Sequence, residues 1–366
     1  MSSSRRRFLQ ATAAGAAAAA LSPFDREIQG QGAPAAAPAP AAPGYVLVTS
    51  ANGVEAAKAA RQALIQGYDP LDAAIAGVNI PELDPNDMTV GYGGIPNEDG
   101  VVQLDACVMD GRTMRAGAVG ALEGVKTPSK VARLVMERTD RVFLVGEGAR
   151  KFATAHGFEK EDLLTEKTRK IWLYWKERLS DADDWIESGK EAEDPAIREF
   201  IRKYGNADFR PQGTIHMSVR SAAGDLVGVT TTSGLFFKMP GRVGDSAVVG
   251  AGCYSENGVG SCGSTGRGEA NLVSCGSHTV VEFLRQGKSP EEACLLALKR
   301  IDEKTHRVPR HRDEKGRPKF QVNFYCVDAK GRTAGAAIWS GSKYVVADDA
   351  GGVRTLESAY LYKKGT

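Results

Sequence analysis

The sequence predicts an α+β fold, one domain in which sheets are covered by helices in stacked layers. Three observations carry that expectation. Short strands and short helices follow one another from Tyr45 to Val145. Two helices, the second with a strong start signal, fill the stretch from Ser277 to Asp302. A hairpin stands on either side of them, one after Gly213 and one after Phe320. The 366 residues are 42% hydrophobic, enough for a sizeable core, and that length permits one large domain or two.

The front of the chain stands apart. Ser4-Arg5-Arg6-Arg7-Phe8-Leu9-Gln10 precedes a weakly apolar, alanine-rich run ending near Leu21. A charged segment followed by a short apolar one is a secretory signal, and the arginines before Phe-Leu resemble the twin-arginine export motif. Residues 1–30 are therefore expected to be a signal peptide, the alternative being an Ala-rich tail. Residues 31–44, rich in Pro and Ala, are expected to be an extended linker. The protein is then periplasmic or secreted, and the folded part starts at Tyr45. A net charge of +2 and the lack of a basic stripe argue against a nucleic-acid partner. No apolar run is long enough for a stable membrane span.

From Tyr45 to Thr49 the pattern alternates as a strand. Val54 to Gln66 reads as a helix stopped by Gly67. Asp69-Pro70 opens another, with Asp as cap and Pro at the first helical position. Val101 to Met109, Ala116 to Ala121 and Arg141 to Val145 read as strands, and Ser129 to Arg138 as a helix behind Pro128. Between Glu159 and Arg210 charge dominates. Ile171 to Leu179 forms an amphipathic helix there, its aromatic residues packed, and Asp181 to Glu193 is acidic and expected to be mobile.

After Gly213 the pattern resets. Ile215, Met217 and Val219 share one strand face; Thr214, His216 and Ser218 share the other. Ala223-Gly224-Asp225 turns the chain into Leu226 to Thr232. Ser277 to Arg285 and Pro290 to Asp302 are helices, the second opened by a capping box of Ser289 and Glu292. Phe320 to Val327 and Thr333 to Trp339 form the last hairpin. The six cysteines contain no CxxC pair, so a zinc knuckle is not expected, and their even count fixes no disulfide pairing. His306 and His311 read as part of a solvated basic loop.

Three clusters can carry chemistry: Thr214, the run Thr230 to Gly234 at the end of the return strand, and Gly241 to Ser246 with the glycine-rich stretch Gly250 to Glu269 that follows it. Thr214 follows Gly213 at the head of a strand. A threonine hydroxyl needs a base to be a nucleophile, and a free α-amino group, which titrates near ~8, can be that base. Cleavage of the Gly213–Thr214 bond would create both in one residue; the alternative is a plain strand threonine. Arg242 and Asp245 carry the opposite charges that an α-amino acid needs, or they form a salt bridge in a loop. Thr265-Gly266 offers a hydroxyl and a backbone N–H to a developing oxyanion. Gly258 to Gly263 matches GxGxxG formally, but no helix opens there, so a dinucleotide site is not expected.

Together these stretches resemble the glycosylasparaginases of the N-terminal nucleophile hydrolases. The resemblance runs from Tyr45 to the C-terminus. It is carried by TVGYGG (Thr89 to Gly94), LDACVMD (Leu104 to Asp110), FLVGEG (Phe143 to Gly148), GTIHM, TTTSG, GRVGDS, GAG and STGRGE. It implies a four-layer αββα sandwich and self-cleavage before Thr214 into an α piece, residues 45–213, and a β piece, residues 214–366. It implies that Thr214 attacks the side-chain amide of an asparagine derivative such as GlcNAc-Asn, giving a β-aspartyl ester that water hydrolyses. Thr232 would assist the nucleophile. Arg242 and Asp245 would hold the α-carboxylate and α-amino groups. Thr265 and Gly266 would form the oxyanion hole, and Thr89 would line the site. No cofactor and no metal are implied, and a dimer of αβ pairs is. Two departures stand out. Gln212-Gly213 replaces the family's usual His-Asp, and Gly-Thr is the junction of the related isoaspartyl peptidase/plant-type asparaginases. Ser50 stands where the family tends to have a tryptophan. The alternatives are an isoaspartyl peptidase/L-asparaginase and a non-catalytic binding protein on the same scaffold.

Overall fold

Alternation along the strands decides the layering, because successive side chains point to opposite faces. The computed structural model describes residues 44–180, 182–187, 194–205 and 212–365. An eight-stranded sheet runs in the order β12 (Gly352–Glu357), β11 (Lys343–Asp348), β1 (Val46–Ser50), β5 (Gln212–Arg220), β6 (Leu226–Leu235), β2 (Leu104–Asp110), β3 (Arg115–Leu122) and β4 (Phe143–Val145). A five-stranded sheet runs β13 (Ala359–Tyr362), β10 (Thr333–Trp339), β9 (Val322–Asp328), β8 (Gly260–Gly266) and β7 (Cys253–Glu256). The pairs β3–β4 and β10–β13 are parallel.

Leu47, Val108, Ile215, Met217, Val219 and Val229 face helices α1 (Val54–Ile65), α2 (Pro70–Leu83), α3 (Pro128–Arg138) and α4 (Gly146–Ala155) in one core. Their neighbours Val46, Val48 and Leu226 face the other way and meet Tyr325 and Val327 of the smaller sheet. The smaller sheet's outer face packs Phe324, Cys326 and Ile338 against α8 (Gly276–Arg285) and α9 (Pro290–Thr305). The result is the expected αββα order. From residue 44 on, the described residues make one compact unit.

Local signals explain the helices. Asp69 caps α2 by accepting from Leu71 N at 2.9 Å, with Pro70 at the first position. The capping box of α9 is present with both of its bonds. Gly67, at φ +82, closes the end of α1 in the left-handed region where a Cβ is disfavoured.

Several boundaries move. The strand expected from Val101 starts at Leu104, and the helix expected from Ile171 starts at Glu166, behind the cap Thr165, and ends at Lys176. The charged segment also holds α5 (Glu166–Lys176) and α6 (Pro195–Tyr204), the second unforeseen. Asp194 accepts from Ala196 N and Pro195 opens the helix, so its start signal was local but sat inside an acidic run. Phe200 and Trp175 then pack with Phe236 and Phe237 at the end of β6, Trp175 stacked on Phe237 at 4.3 Å. α7 (Gly268–Leu272) and strands β7, β8, β11, β12 and β13 were also unforeseen; β8, GSCGSTG, is rich in Gly and Ser and carries little periodic signal, and β7 and β13 are only four residues long. His311 is half-buried rather than solvated: it meets Arg267 at 3.2 Å and packs edge-on to Phe320. The signal, the linker up to residue 43 and most of the acidic stretch from 181 to 193 lie outside the described residues.

Candidate active site

Thr214 lies on β5 where the ladder to β6 is irregular. Gly213 pairs with Gly234, but Ile215 pairs with Thr231. Two residues of β5 are thus crossed by three of β6, a bulge at the candidate nucleophile that re-aims local side chains. There Thr214 Oγ1 donates to Thr232 Oγ1 at 3.2 Å. Thr232 Oγ1 receives a second bond from Gly234 N at 2.8 Å and gives its own proton to the Gly213 carbonyl oxygen. One hydroxyl therefore touches both the attacking oxygen and the carbonyl of the Gly213–Thr214 bond. Asn52 Nδ2 holds the Thr214 carbonyl at 3.3 Å, and Ser50 Oγ holds Asn52 Oδ1 at 2.7 Å.

Gly213 is tightly confined. A Cβ there would collide with the Cβ, Cγ2 and Oγ1 of Thr89. The Thr89 hydroxyl donates to Asp87 Oδ1 at 2.6 Å, and its carbonyl accepts from Ser233 N at 3.0 Å, which fixes it in that place.

Across the gap between the sheets, β5 and β8 run in matched steps. His216 lies against Gly263, which has no room for a Cβ, and Ser218 Oγ meets Ser261 Oγ at 2.6 Å. Thr214 lies two residues before His216 on β5, and Thr265 two residues after Gly263 on β8. The Arg267 N–H bonds Gln321 O, so Gly266, opposite Val322, falls between hydrogen-bonded pairs and turns its N–H toward the β7 side. Ser264 N finds Gly252 O on that side; β7 itself begins at Cys253, opposite Gly263, so the Gly266 N–H lies past it. Gly266 has φ +115, a conformation open to glycine.

His216 is fully buried and its ring nitrogens meet Thr230 Oγ1 and Ser218 Oγ, each at 2.7 Å. The Thr230 proton goes to Gly252 O, so Nδ1 must be the donor to Thr230 and Nε2 the acceptor from Ser218. Burial holds the imidazole neutral, pulling its pKa down to about 3.

Arg242 and Asp245 do not form the loop salt bridge that was one reading of them. Arg242 pairs with Glu269 at 2.8 Å. Asp245 is buried and accepts from Ser264 Oγ at 2.6 Å and Asn271 Nδ2 at 2.8 Å. Desolvation raises its pKa against those bonds. Both groups converge on Gly268: a Cβ there would come within 2.8 Å of Asp245 Oδ1 and 3.0 Å of Arg242. A guanidinium and a carboxylate thus close on one buried glycine.

Sequence reasoning found Gly213, Thr214, Thr232 and Thr89, which are in mutual contact, and placed Arg242 beside Asp245. It missed Asn52, Glu269, Asn271 and the buried Lys238, whose Nζ donates to Gln103 O at 2.9 Å and lies 3.9 Å from Asp105. A Cβ on Gly234 would come within 2.7 Å of that Nζ, so the Lys238 amine, its pKa pulled down by burial, sits directly behind the Thr232 turn. It also missed Asn323 and Tyr325, both on the Thr265 hydroxyl. The TTTSG and LDACVMD motifs marked the neighbourhood of Lys238 and Asp105 but not their contact. Among the described residues no group of three or more His, Cys, Asp or Glu is placed to hold a metal.

A family model described as "Asparaginase" matches residues 40–309. The N(4)-(β-N-acetylglucosaminyl)-L-asparaginase of Elizabethkingia miricola is 36% identical over 352 residues, 96% of this chain and 94% of that protein. The enzyme of the same name from Rattus norvegicus is 38% identical over 256 residues, 67% of this chain and 74% of its own. A probable isoaspartyl peptidase/L-asparaginase of Arabidopsis thaliana is 34% identical over 314 residues, 80% of this chain and 84% of its own.

Proposed function

The chain belongs to the asparaginase family, alongside the glycosylasparaginases, and from that premise we propose that it cuts itself before Thr214 and then hydrolyses N4-substituted asparagine such as GlcNAc-Asn. The observation that carries the reading is the Thr232 hydroxyl shared between Thr214 Oγ1 and the Gly213 carbonyl.

In the cut, Thr214 Oγ bonds to the Gly213 carbonyl carbon as its proton leaves, and Thr232 stabilises the charge forming on the carbonyl oxygen. The C–N bond breaks, the nitrogen takes up a proton, and Gly213 is left as an ester on Thr214. Water hydrolyses that ester to a Gly213 carboxylate and a free Thr214 hydroxyl and amine. The freed amine then serves as base for its own hydroxyl.

In turnover, Arg242 takes the substrate α-carboxylate and Asp245 its α-ammonium, which delivers the side-chain amide to Thr214. Attack gives a tetrahedral oxyanion facing Thr265 and Gly266. The leaving amine departs with a proton, and water releases aspartate. Purified active protein is expected as two pieces, the second beginning at Thr214. Thr214→Ala is expected as one uncut, inactive chain, and an unbroken chain with full amidase turnover would refute the mechanism.

A second reading is favoured by Gly213. Its Gly-Thr junction and the Thr89 side chain in the space of a Cβ suit an isoaspartyl peptidase/L-asparaginase. Turnover of GlcNAc-Asn, a β-aspartyl dipeptide and free Asn separates the two. Export by the twin-arginine segment to the periplasm or outside, and pairing of two αβ units, complete the proposal. Fractionation and sedimentation test them.

A further inference from the structure

The Thr265 hydroxyl has one proton and two lone pairs, and its surroundings decide where that proton points. Asn323 Nδ2 donates to Thr265 Oγ1 at 3.1 Å. Tyr325 OH lies 2.9 Å from the same oxygen. Tyr325 is buried and stacked on His216, with ring centroids 6.5 Å apart, whereas Thr265 is only half-buried. A buried phenol must place its proton, and among the described residues Thr265 Oγ1 is the acceptor within reach. If Thr265 donated instead, the stranded proton would be the buried one. The lower-cost arrangement has Tyr325 donating, so Thr265 accepts twice and keeps its proton for something outside the pair. Burial raises the Tyr325 pKa to about 12, so the phenol keeps its proton throughout the working range.

We propose that Asn323 and Tyr325 are positioning residues that saturate Thr265 as an acceptor and so commit its proton to the oxyanion of the substrate. The inference rests on the reading of Thr265 as an oxyanion donor. The Asn323 amide matters by its orientation. Its Oδ1 is buried with no donor among the described residues. A carboxylate in its place would accept the Thr265 proton and turn it away from the reaction.

The test uses self-cleaved protein and an L-aspartyl β-anilide as substrate, with aspartate binding measured by calorimetry. Tyr325→Phe keeps the stacked ring and removes one donor; kcat is expected to fall about tenfold. Asn323→Asp is expected to lower kcat by ~10²-fold, the scale of losing one oxyanion donor, and by more than Asn323→Leu. KM and aspartate affinity should stay within about twofold, because Arg242 and Asp245 are untouched. Acidification should raise Asn323→Asp relative to the parent enzyme, since a protonated carboxyl can again donate to Thr265. Unchanged kcat in Tyr325→Phe and Asn323→Asp, or losses confined to KM, would overturn the assignment. If the parent turns over but Thr265→Val does not lower kcat, the oxyanion reading itself is wrong. A parent without amidase turnover would instead remove the proposed function, and this inference with it.

Discussion

His216 gives a direct thermodynamic test of the polar layer between the sheets. Its imidazole is a base whose folded pKa lies near 3 against a reference of 6.5. The unfolded chain therefore takes up a proton first as pH falls. Stability present above pH 6.5 is lost as pH drops toward 3, because the unfolded state binds more protons. With 1.36 kcal/mol for each pH unit, the loss from this one group is about 1.4 kcal/mol at pH 5.5 and about 2.7 kcal/mol at pH 4.5, relative to pH 8. Protonation would also demand that Nε2 donate to Ser218, which already spends its proton on Nε2. Every other titrating group is shared with a His216→Gln variant, whose amide keeps one donor and one acceptor. Urea unfolding free energies for both proteins, each in the uncut Thr214→Ala background, at pH 8.0, 5.5 and 4.5 then isolate the histidine. The parent should lose about 2.7 kcal/mol more than the variant between the extremes. Equal pH dependence, or an imidazole carbon resonance titrating near 6.5 in the folded protein, would refute the reasoning.

Three further expectations follow from contacts at the site. Gly213→Ala pushes a methyl into Thr89 and should slow self-cleavage tenfold or more, seen as uncut chain persisting on gels; adding Thr89→Gly should restore much of the rate, and parental speed in the single variant would remove the steric argument. Thr232→Val keeps the shape but deletes the shared hydroxyl, so cleavage and, in any cut fraction, kcat should each drop about 10²–10³-fold. Asp245→Asn keeps the bonds to Ser264 and Asn271 within reach yet removes the charge that meets an α-ammonium. Its KM should rise about 10-fold or more, the scale of a lost charged hydrogen bond, and an unchanged KM would displace Asp245 from that role.

Much of the frame was legible because its signals are local. The cap at Asp69, the box at Ser289 and the two-residue period from Thr214 to Val219 each need only a few neighbours. What lay hidden depends on partners far along the chain. His216 and Ser218 read only as the strand face opposite Ile215, and Ser261 as part of a glycine-rich stretch, yet all three are fully buried and satisfy one another across two sheets. Glu82 is a comparable case. Buried on α2, it accepts from Ser129 N and Oγ and from Thr231 Oγ1, and desolvation raises its pKa to about 7. The bulge beside Thr214 is a property of register, which no single strand contains. Arg242 and Asp245 read together as opposite charges in one loop; the ion-pair partner of Arg242, Glu269, arrives from the far side of the glycine-rich loop.

The strand order of the large sheet has a consequence for how such an enzyme lives and dies. β1 lies between β11 and β5, and β6 lies between β5 and β2, so segments from before and after residue 213 are interleaved like shuffled cards. Once the backbone is severed at that point, the large sheet belongs to neither fragment alone, although the five-stranded sheet lies wholly within the second. Melting then separates two molecules that must find each other again, whereas the intact precursor rewinds within one. Thermal damage should accordingly be recoverable in an uncut Thr214→Ala chain and largely permanent in the mature protein, which would make ripening a one-way commitment.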